Sequence, residues 1–261
     1  MPNMLQRLFA GTAKAPPPGR RHEAWPAAIY AIGDIHGCIG PLRALEERIF
    51  ADGAGIDGEK WIIWLGDLVD RGPDSASVLD RALAPPPPGF RRFCLAGNHD
   101  AMMLDFLRHP SPRADWLTFG GRETLSSYGM SGTVFERAGP RQMRDIVASH
   151  IPAEHIELLG AMPLWIAVPG TVFVHAGIRR GLPLERQRAE DLLWIRDAFF
   201  AAPADDGLLV VHGHTPGPEP VVCPGRIGLD TGCFATGVLS AARFQPGAPP
   251  QFLSVGSPPQ P

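Results

Sequence analysis

Aspartate, histidine and asparagine recur in this chain at the ends of apolar runs, where an open parallel sheet gathers its ligands along one edge. Five segments share the arrangement. Asp34 and His36 lie in GDIHG (33–37), Asp67 in GDLVDRGP (66–73), Asn98 and His99 in GNHD (97–100), His175 in HAG (175–177), and His212 and His214 in HGHTP (212–216). One aspartate after a strand is an ordinary turn former, and one histidine beside apolar residues is an ordinary packed side chain. Unrelated turns do not explain five in the same place of successive β-loop units. Mixed carboxylate, imidazole and amide ligands suit Mn, Fe or Zn better than an all-thiolate site would.

The set divides into two metals. Asp34 and His36, two residues apart, can grip one ion. Asn98, His175 and one of His212 and His214 can grip a second, with Asp67 as the bridge. Two cations about 3.5–4 Å apart can activate a water and stabilise both ends of an in-line displacement at phosphorus. His99, beside Asn98, is left free to protonate the departing oxygen. Asp70 can fix its tautomer, and Arg71 offers a planar fork to phosphate oxygens. No covalent enzyme intermediate is needed.

The elements that must position these residues follow from pattern. Residues 27–32, 61–65 and 93–95 read as strands, each ending in a motif, with helices over 41–50 and 74–83. This β-loop-α rhythm predicts a mainly parallel sheet with helices on its faces. Residues 101–162 read as a helical insertion beside the site. Strands return at 164–168 and 171–174 as a hairpin around Pro169-Gly170, then at 208–211, with a helix over 189–200. Short strands near 220–222, 226–230, 237–244 and 251–255 are expected to close the chain as an antiparallel run. The domain plan is a loosely ordered arm over 1–26, with one amphipathic turn at 4–9 and a linker at 16–21. A catalytic domain over 27–244 follows, then a C-terminal strand and Pro-rich tail over 245–261.

Composition bounds the rest. The 261 residues are 44% hydrophobic and 20% charged, ordinary for a globular enzyme, and the net charge of −3 argues against a nucleic-acid partner. No apolar run approaches the roughly 18 residues of a membrane helix. The four cysteines, Cys38, Cys94, Cys223 and Cys233, lack CxxC spacing and are expected to be reduced thiols of a cytoplasmic protein. Only Lys14 and Lys60 among 24 basic residues are lysines, a bias we attribute to bacterial GC-rich coding. His22, His109, His150 and His155 fall outside the motifs and are expected at the surface.

GDIHG, GDLVDRGP, GNHD, HAG and GHTP, in this order, resemble the calcineurin-like metallophosphoesterase superfamily, and within it the phosphoprotein phosphatases of bacterial and phage lambda type. The resemblance implies an α/β fold, a four-layer α/β/β/α sandwich around a dinuclear centre. It places one metal on Asp34, His36 and Asp67, and the other on Asp67, Asn98, His175 and His214. It leaves His212 as a supporting residue, makes His99 the general acid with Asp70 as partner, and adds Arg196, after Trp194, to Arg71 as a phosphate clamp. Asp230-Thr231-Gly232 resembles a late structural motif, and Trp116 and Gly120-Gly121 echo the phage enzyme's insertion. These likenesses imply a serine/threonine protein phosphatase acting on phosphoproteins, with Mn²⁺ as the first-choice metal. Two positions depart. Ala96 stands where protein phosphatases carry an arginine, and Asp100 where many carry glutamate. Both bring the chain nearer to bacterial diadenosine tetraphosphate hydrolases. Losing one charged hydrogen-bonding partner weakens phosphate binding by about 1.5–3 kcal/mol unless Arg122, Arg179 or Arg180 replaces it. A dinucleotide hydrolase is therefore the first rival reading, a tyrosine-directed phosphatase the second, and a catalytically dead phosphate-binding module the third.

Overall fold

A computed structural model describes residues 19–130, 138–204 and 206–256. Two sheets form the centre. In one, β2 (Ala28–Ile32), β3 (Lys60–Trp64) and β4 (Phe90–Cys94) run parallel, and β10 (Leu239–Phe244) and β11 (Gln251–Val255) add antiparallel at the β2 side. In the other, the order is β1 (Arg20–Arg21), β5 (Trp165–Val168), β6 (Thr171–Val174), β7 (Leu209–His212), β9 (Arg226–Gly228) and β8 (Val221–Cys223). Alternation along the strands builds both faces. Ile29, Ala31, Trp61 and Ile63 meet Ile166, Phe173, Val211 and Ile227 of the other sheet, a dry layer between the two. Tyr30, Ile32, Ile62 and Trp64 face the other way, with Leu42, Leu45 and Ile49 of α1 (Ile39–Gly53) and Val78 and Leu79 of α2 (Ser75–Leu83). The fold is thus two sheets flanked by helices, as the motifs predict. The Pro169-Gly170 hairpin forms, with β5 antiparallel to β6.

Several expectations are corrected. The arm is ordered from its last residues onward: Arg20–Arg21 pairs with β5, and His22 N–H donates to Ala167 O. The predicted turn at 4–9 lies outside the described residues, as does the end of the C-terminal tail. The helix expected over 189–200 is broken into α7 (Ala189–Trp194) and α8 (Asp197–Phe200), because Arg196 has φ −134° and ψ −96°. The closing strands are not one antiparallel run. β8 and β9 join the second sheet, where β9 is parallel to β7, and β10 and β11 cross to the first. A hydropathy pattern reports which residues are buried, not against which sheet. His155 is buried, its Nδ1 and Nε2 lying 2.6 Å from Tyr128 Oη and 3.1 Å from Asp80 Oδ1. The insertion begins inside α3 (Asn98–Arg108), and no boundary falls at residue 101. Its α4 (Gly121–Ser127) packs on α2, and α6 (Ala153–Ala161) packs on α3. The remaining helices are α5 (Pro140–His150) and α9 (Cys233–Thr236).

One buried ion cluster ties together the elements that lead into the motifs. Glu46 of α1, fully buried, accepts from Arg81 of α2 at 2.6 Å and from Arg92 of β4 at 2.7 Å. Arg92 also lies over the Trp64 ring, 4.9 Å from its centroid. Glu46→Ala strands two guanidinium groups, one of them buried. Chemical denaturation should show a loss of about 3–5 kcal/mol.

Candidate metal centre

The five motifs meet because β2, β3 and β4 are parallel in one sheet, β6 and β7 are parallel in the other, and all five end on the same edge. Short hydrogen bonds join the two sets of loops. His214 N–H donates to both Asp34 oxygens at 3.1 Å and His175 Nδ1–H to Leu65 O at 3.0 Å, while within the second set Gly213 N–H donates to His175 O at 2.8 Å. The loops reach this packing at a cost in backbone energy. Among the described residues, only His36, Asp67, Asp70, Arg71 and His214 have positive φ without being glycine, from 45° to 73°. Such conformations cost of order 1–3 kcal/mol each and persist where surrounding structure holds them. Two glycines are required by close approach: a Cβ on Gly97 or on Gly213 would lie 2.1 or 2.0 Å from a carboxylate oxygen of Asp67 or Asp34.

The ligand atoms converge on Asp67. His36 Nε2 lies 3.5 Å from one of its oxygens and His175 Nε2 3.5 Å from the other. Two clusters have ligand atoms all within 4.8 Å of one another: His36, Asp67 and His99, and Asp67, His175 and His214. Asn98 Oδ1 sits between His175 Nε2 at 2.8 Å and His214 Nδ1 at 2.9 Å. Asp34, expected with His36 and Asp67, lies outside the first tight cluster, because its carboxylate is turned to the His214 amide. His212 is buried on Phe199 and joins neither cluster.

The chemistry of these donors fits divalent cations. His36 and His175 give their Nδ1 protons to the carbonyls of Val69 and Leu65, which leaves each Nε2 lone pair facing Asp67 or Asn98. Burial drives His36 and His214 down to about 3 and also lowers His175, so these rings are neutral ligands. Burial pushes Asp67 up, but His175, His99, His36 and His214 reverse this and hold it below the ordinary carboxylate range. Burial, then Asp230 and Asp67, raise Asp34 well above that range. Asp230, read from the sequence as structural support, is itself raised to about 6, chiefly by burial. Three crowded carboxylates among neutral imidazoles form a pocket that a cation would relieve.

In the first of the two clusters, His99 is paired with Asp70. His99 Nδ1–H meets Asp70 Oδ2 at 2.7 Å, leaving Nε2 toward the site. Burial opposes a charge on His99, but Asp67 and the hydrogen-bonded Asp70 outweigh it and raise its pKa. Trp116 Nε1–H and Thr124 Oγ1–H each donate to Asp70 at 2.7 Å. Thr124 was not legible in the sequence; its role depends on α4 docking against the central loop. Arg71 reaches His36 Nε2 at 3.2 Å and His99 Nε2 at 3.1 Å, while Arg196 Nε–H donates to His214 Nε2 at 3.2 Å. The two guanidinium groups therefore stand beside opposite histidines of the centre. Asp100 is a brace: its oxygens accept Leu68 N–H and Gly97 N–H, both at 2.9 Å. Ala96 is packed in the core. Of the arginines expected to replace one there, Arg179 is held by Asp191 at 2.6 Å and Arg180 by Asp206 at 2.5 Å.

Fold and site together define an α/β sandwich with a candidate metal centre at the strand ends. The model of the calcineurin-like phosphoesterase family matches residues 27–237, and the chain belongs to that family. It is a metallophosphoesterase. The bis(5'-nucleosyl)-tetraphosphatase PrpE of Oceanobacillus iheyensis is 27% identical over 252 residues, covering 88% of this chain and 92% of its own. A solved structure of a protein provisionally named a diadenosine tetraphosphatase superposes with a TM-score of 0.59 at 24% identity, over 91% of this chain and 97% of that one. A protein serine/threonine phosphatase of Saccharomyces cerevisiae superposes at 0.58 with 12% identity, over 98% and 88%. Chains with different named activities thus share this fold.

Three outcomes follow. His99→Asn should retain metal yet lower turnover by about two to four powers of ten, measured by steady-state kinetics beside metal analysis. Asp67→Asn should impair the binding of both ions, and metal analysis finding two retained would remove Asp67 as the bridge. Loading divalent metal should expel protons, because Asp34 holds its proton above the usual carboxylate range in the metal-free protein. Affinity should therefore rise with pH, and calorimetry in buffers of differing ionisation heat should register the release.

Proposed function

We propose that this chain hydrolyses the polyphosphate bridge of dinucleoside polyphosphates, in the cytoplasm, using two divalent cations with Mn²⁺ as first choice. The serine/threonine protein phosphatase reading takes second place. The observation that carries the proposal is Ala96. The position before GNHD carries no guanidinium, and the side chain there is packed into the core. The relatives named bis(5'-nucleosyl)-tetraphosphatase support the same reading. The free state of all four cysteines accords with a reducing compartment, and no helix among the described residues is long and apolar enough to cross a membrane.

Asp34, His36, Asp67, Asn98, His175 and His214 would hold the cations, which would supply Lewis-acid activation of water and phosphoryl oxygens. Arg71 and Arg196 would hold phosphoryl oxygens at the two ends of the centre. Water adds to phosphorus, the bridging P–O bond breaks, and His99 Nε2–H gives its proton to the departing oxygen. Asp70 accepts the Nδ1 proton and favours the imidazolium, the form that carries a proton on Nε2 as well. A departing phosphate needs this proton far less than a departing serine alkoxide, because phosphate is the weaker base. His99→Asn should therefore cost more on a phosphoserine peptide than on a dinucleotide.

The deciding assay compares a phosphoserine peptide, a phosphotyrosine peptide and diadenosine tetraphosphate as substrates of metal-stripped protein refilled with Mn²⁺. The expected result is the highest kcat/KM on the dinucleotide. A higher value on the phosphoserine peptide would sink the proposal and return the chain to the protein phosphatases.

A further inference from the structure

Phe234 stands in an unusual place for an apolar side chain. It is 43% exposed, yet it lies at the mouth of a pocket built from charged and polar groups. The Arg71 guanidinium carbon lies over its ring, 4.7 Å from the centroid. The His36 ring meets it nearly edge-on, with centroids 5.4 Å apart and planes at 81°. The ring is carried on a fixed turn. Helix α9 is bounded by left-handed Gly232 (φ 63°) and Gly237 (φ 70°). Gly232 N–H donates to Asp230 Oδ1 at 2.9 Å, and Thr236 Oγ1–H to Thr231 O at 2.8 Å. Cys233, the neighbour of Phe234, is buried. The turn therefore holds an aromatic face in solvent beside the arginine that reaches both His36 and His99. Phe119, 51% exposed, precedes Gly120, whose carbonyl accepts Arg71 N–H at 3.3 Å, so a second exposed ring belongs to the same neighbourhood.

We propose that Phe234 is a stacking platform for the nucleobase nearest the phosphate that Arg71 holds, and so a specificity-determining residue of this site. The inference rests on the dinucleotide reading and deepens it. A phosphate on Arg71 brings the first sugar-base unit attached to it within reach of the ring. Every base has a π-face, and stacking on an aromatic side chain tolerates any base. The same guanidinium can then pair with phosphate while lying on the ring. A phosphoserine peptide carries no aromatic group at that distance from its phosphorus and would gain nothing from Phe234.

The test is binding without turnover. Calorimetry measures AMP and ribose 5-phosphate on the full-length, Mn²⁺-loaded protein, for the wild type, Phe234→Leu and Phe234→Trp. Leucine keeps apolar bulk under Arg71 and removes the π-face. AMP should weaken about tenfold in Phe234→Leu and be retained in Phe234→Trp, while ribose 5-phosphate stays unchanged throughout. Equal weakening of both ligands would mean that Phe234 serves only to hold Arg71, and would overturn the proposal. So would no change in either. Because AMP lacks the polyphosphate bridge whose cleavage the dinucleotide assay reads, failure of that assay and failure of the platform are read separately.

Discussion

Asp67 keeps its charge at 2% exposure because four imidazoles surround it and the His99 amide donates to one of its oxygens at 2.9 Å. A buried carboxylate in isolation would take up a proton. Here the neighbours reverse that tendency, and three of the four, His36, His175 and His214, are candidate ligands. The requirement that this one side chain touch residues from several loops sets the path of the backbone around it. His36, Asp67, Asp70, Arg71 and His214 all adopt left-handed conformations. Gly97 and Gly213 leave room for the carboxylates of Asp67 and Asp34. Energy lost in the loops is recovered by two sheets whose dry interface and helical covers hold the strand ends in place.

The support is layered. Asp100 ties the GNHD turn to the central loop through two amide hydrogen bonds. An aspartate reaches from the third helical position to both amides, so its difference from glutamate is a matter of span within a brace and not of contact with phosphate. Asp70 is fixed in turn by Trp116 and Thr124, which come from the insertion. The insertion therefore does more than cover the site: it fixes the partner of His99. Glu46, Arg81 and Arg92 hold α1, α2 and β4 together beneath the motifs.

What distinguishes substrates lies at the rim. Proteins with different named activities share the fold. Ala96 removes one charged contact, and Arg71 and Arg196 stand beside histidines on opposite sides of the pocket. A solvent-exposed aromatic ring against Arg71 is consistent with a ligand that carries its own flat apolar group.

The amino-acid sequence by itself determined the residue types and their order. GDIHG, GDLVDRGP, GNHD, HAG and GHTP fall at the ends of apolar runs, and that position is enough to predict convergence on one sheet edge. The continuous apolar runs of β2 and β3 likewise marked them as strands buried on both faces. What it left open was decided by contacts distant in the chain. The sequence could not say that β8 and β9 join one sheet while β10 and β11 join the other, because burial carries no address. It could not show that Arg196 breaks a helix to reach His214, or that Thr124 reaches Asp70 across 54 residues. Nor could it show Phe234 beside Arg71, since a phenylalanine in a short apolar stretch reads as core. Only the tertiary structure leaves that ring in solvent, because the strands around α9 bury Cys233 and turn its neighbour outward to the metal pocket.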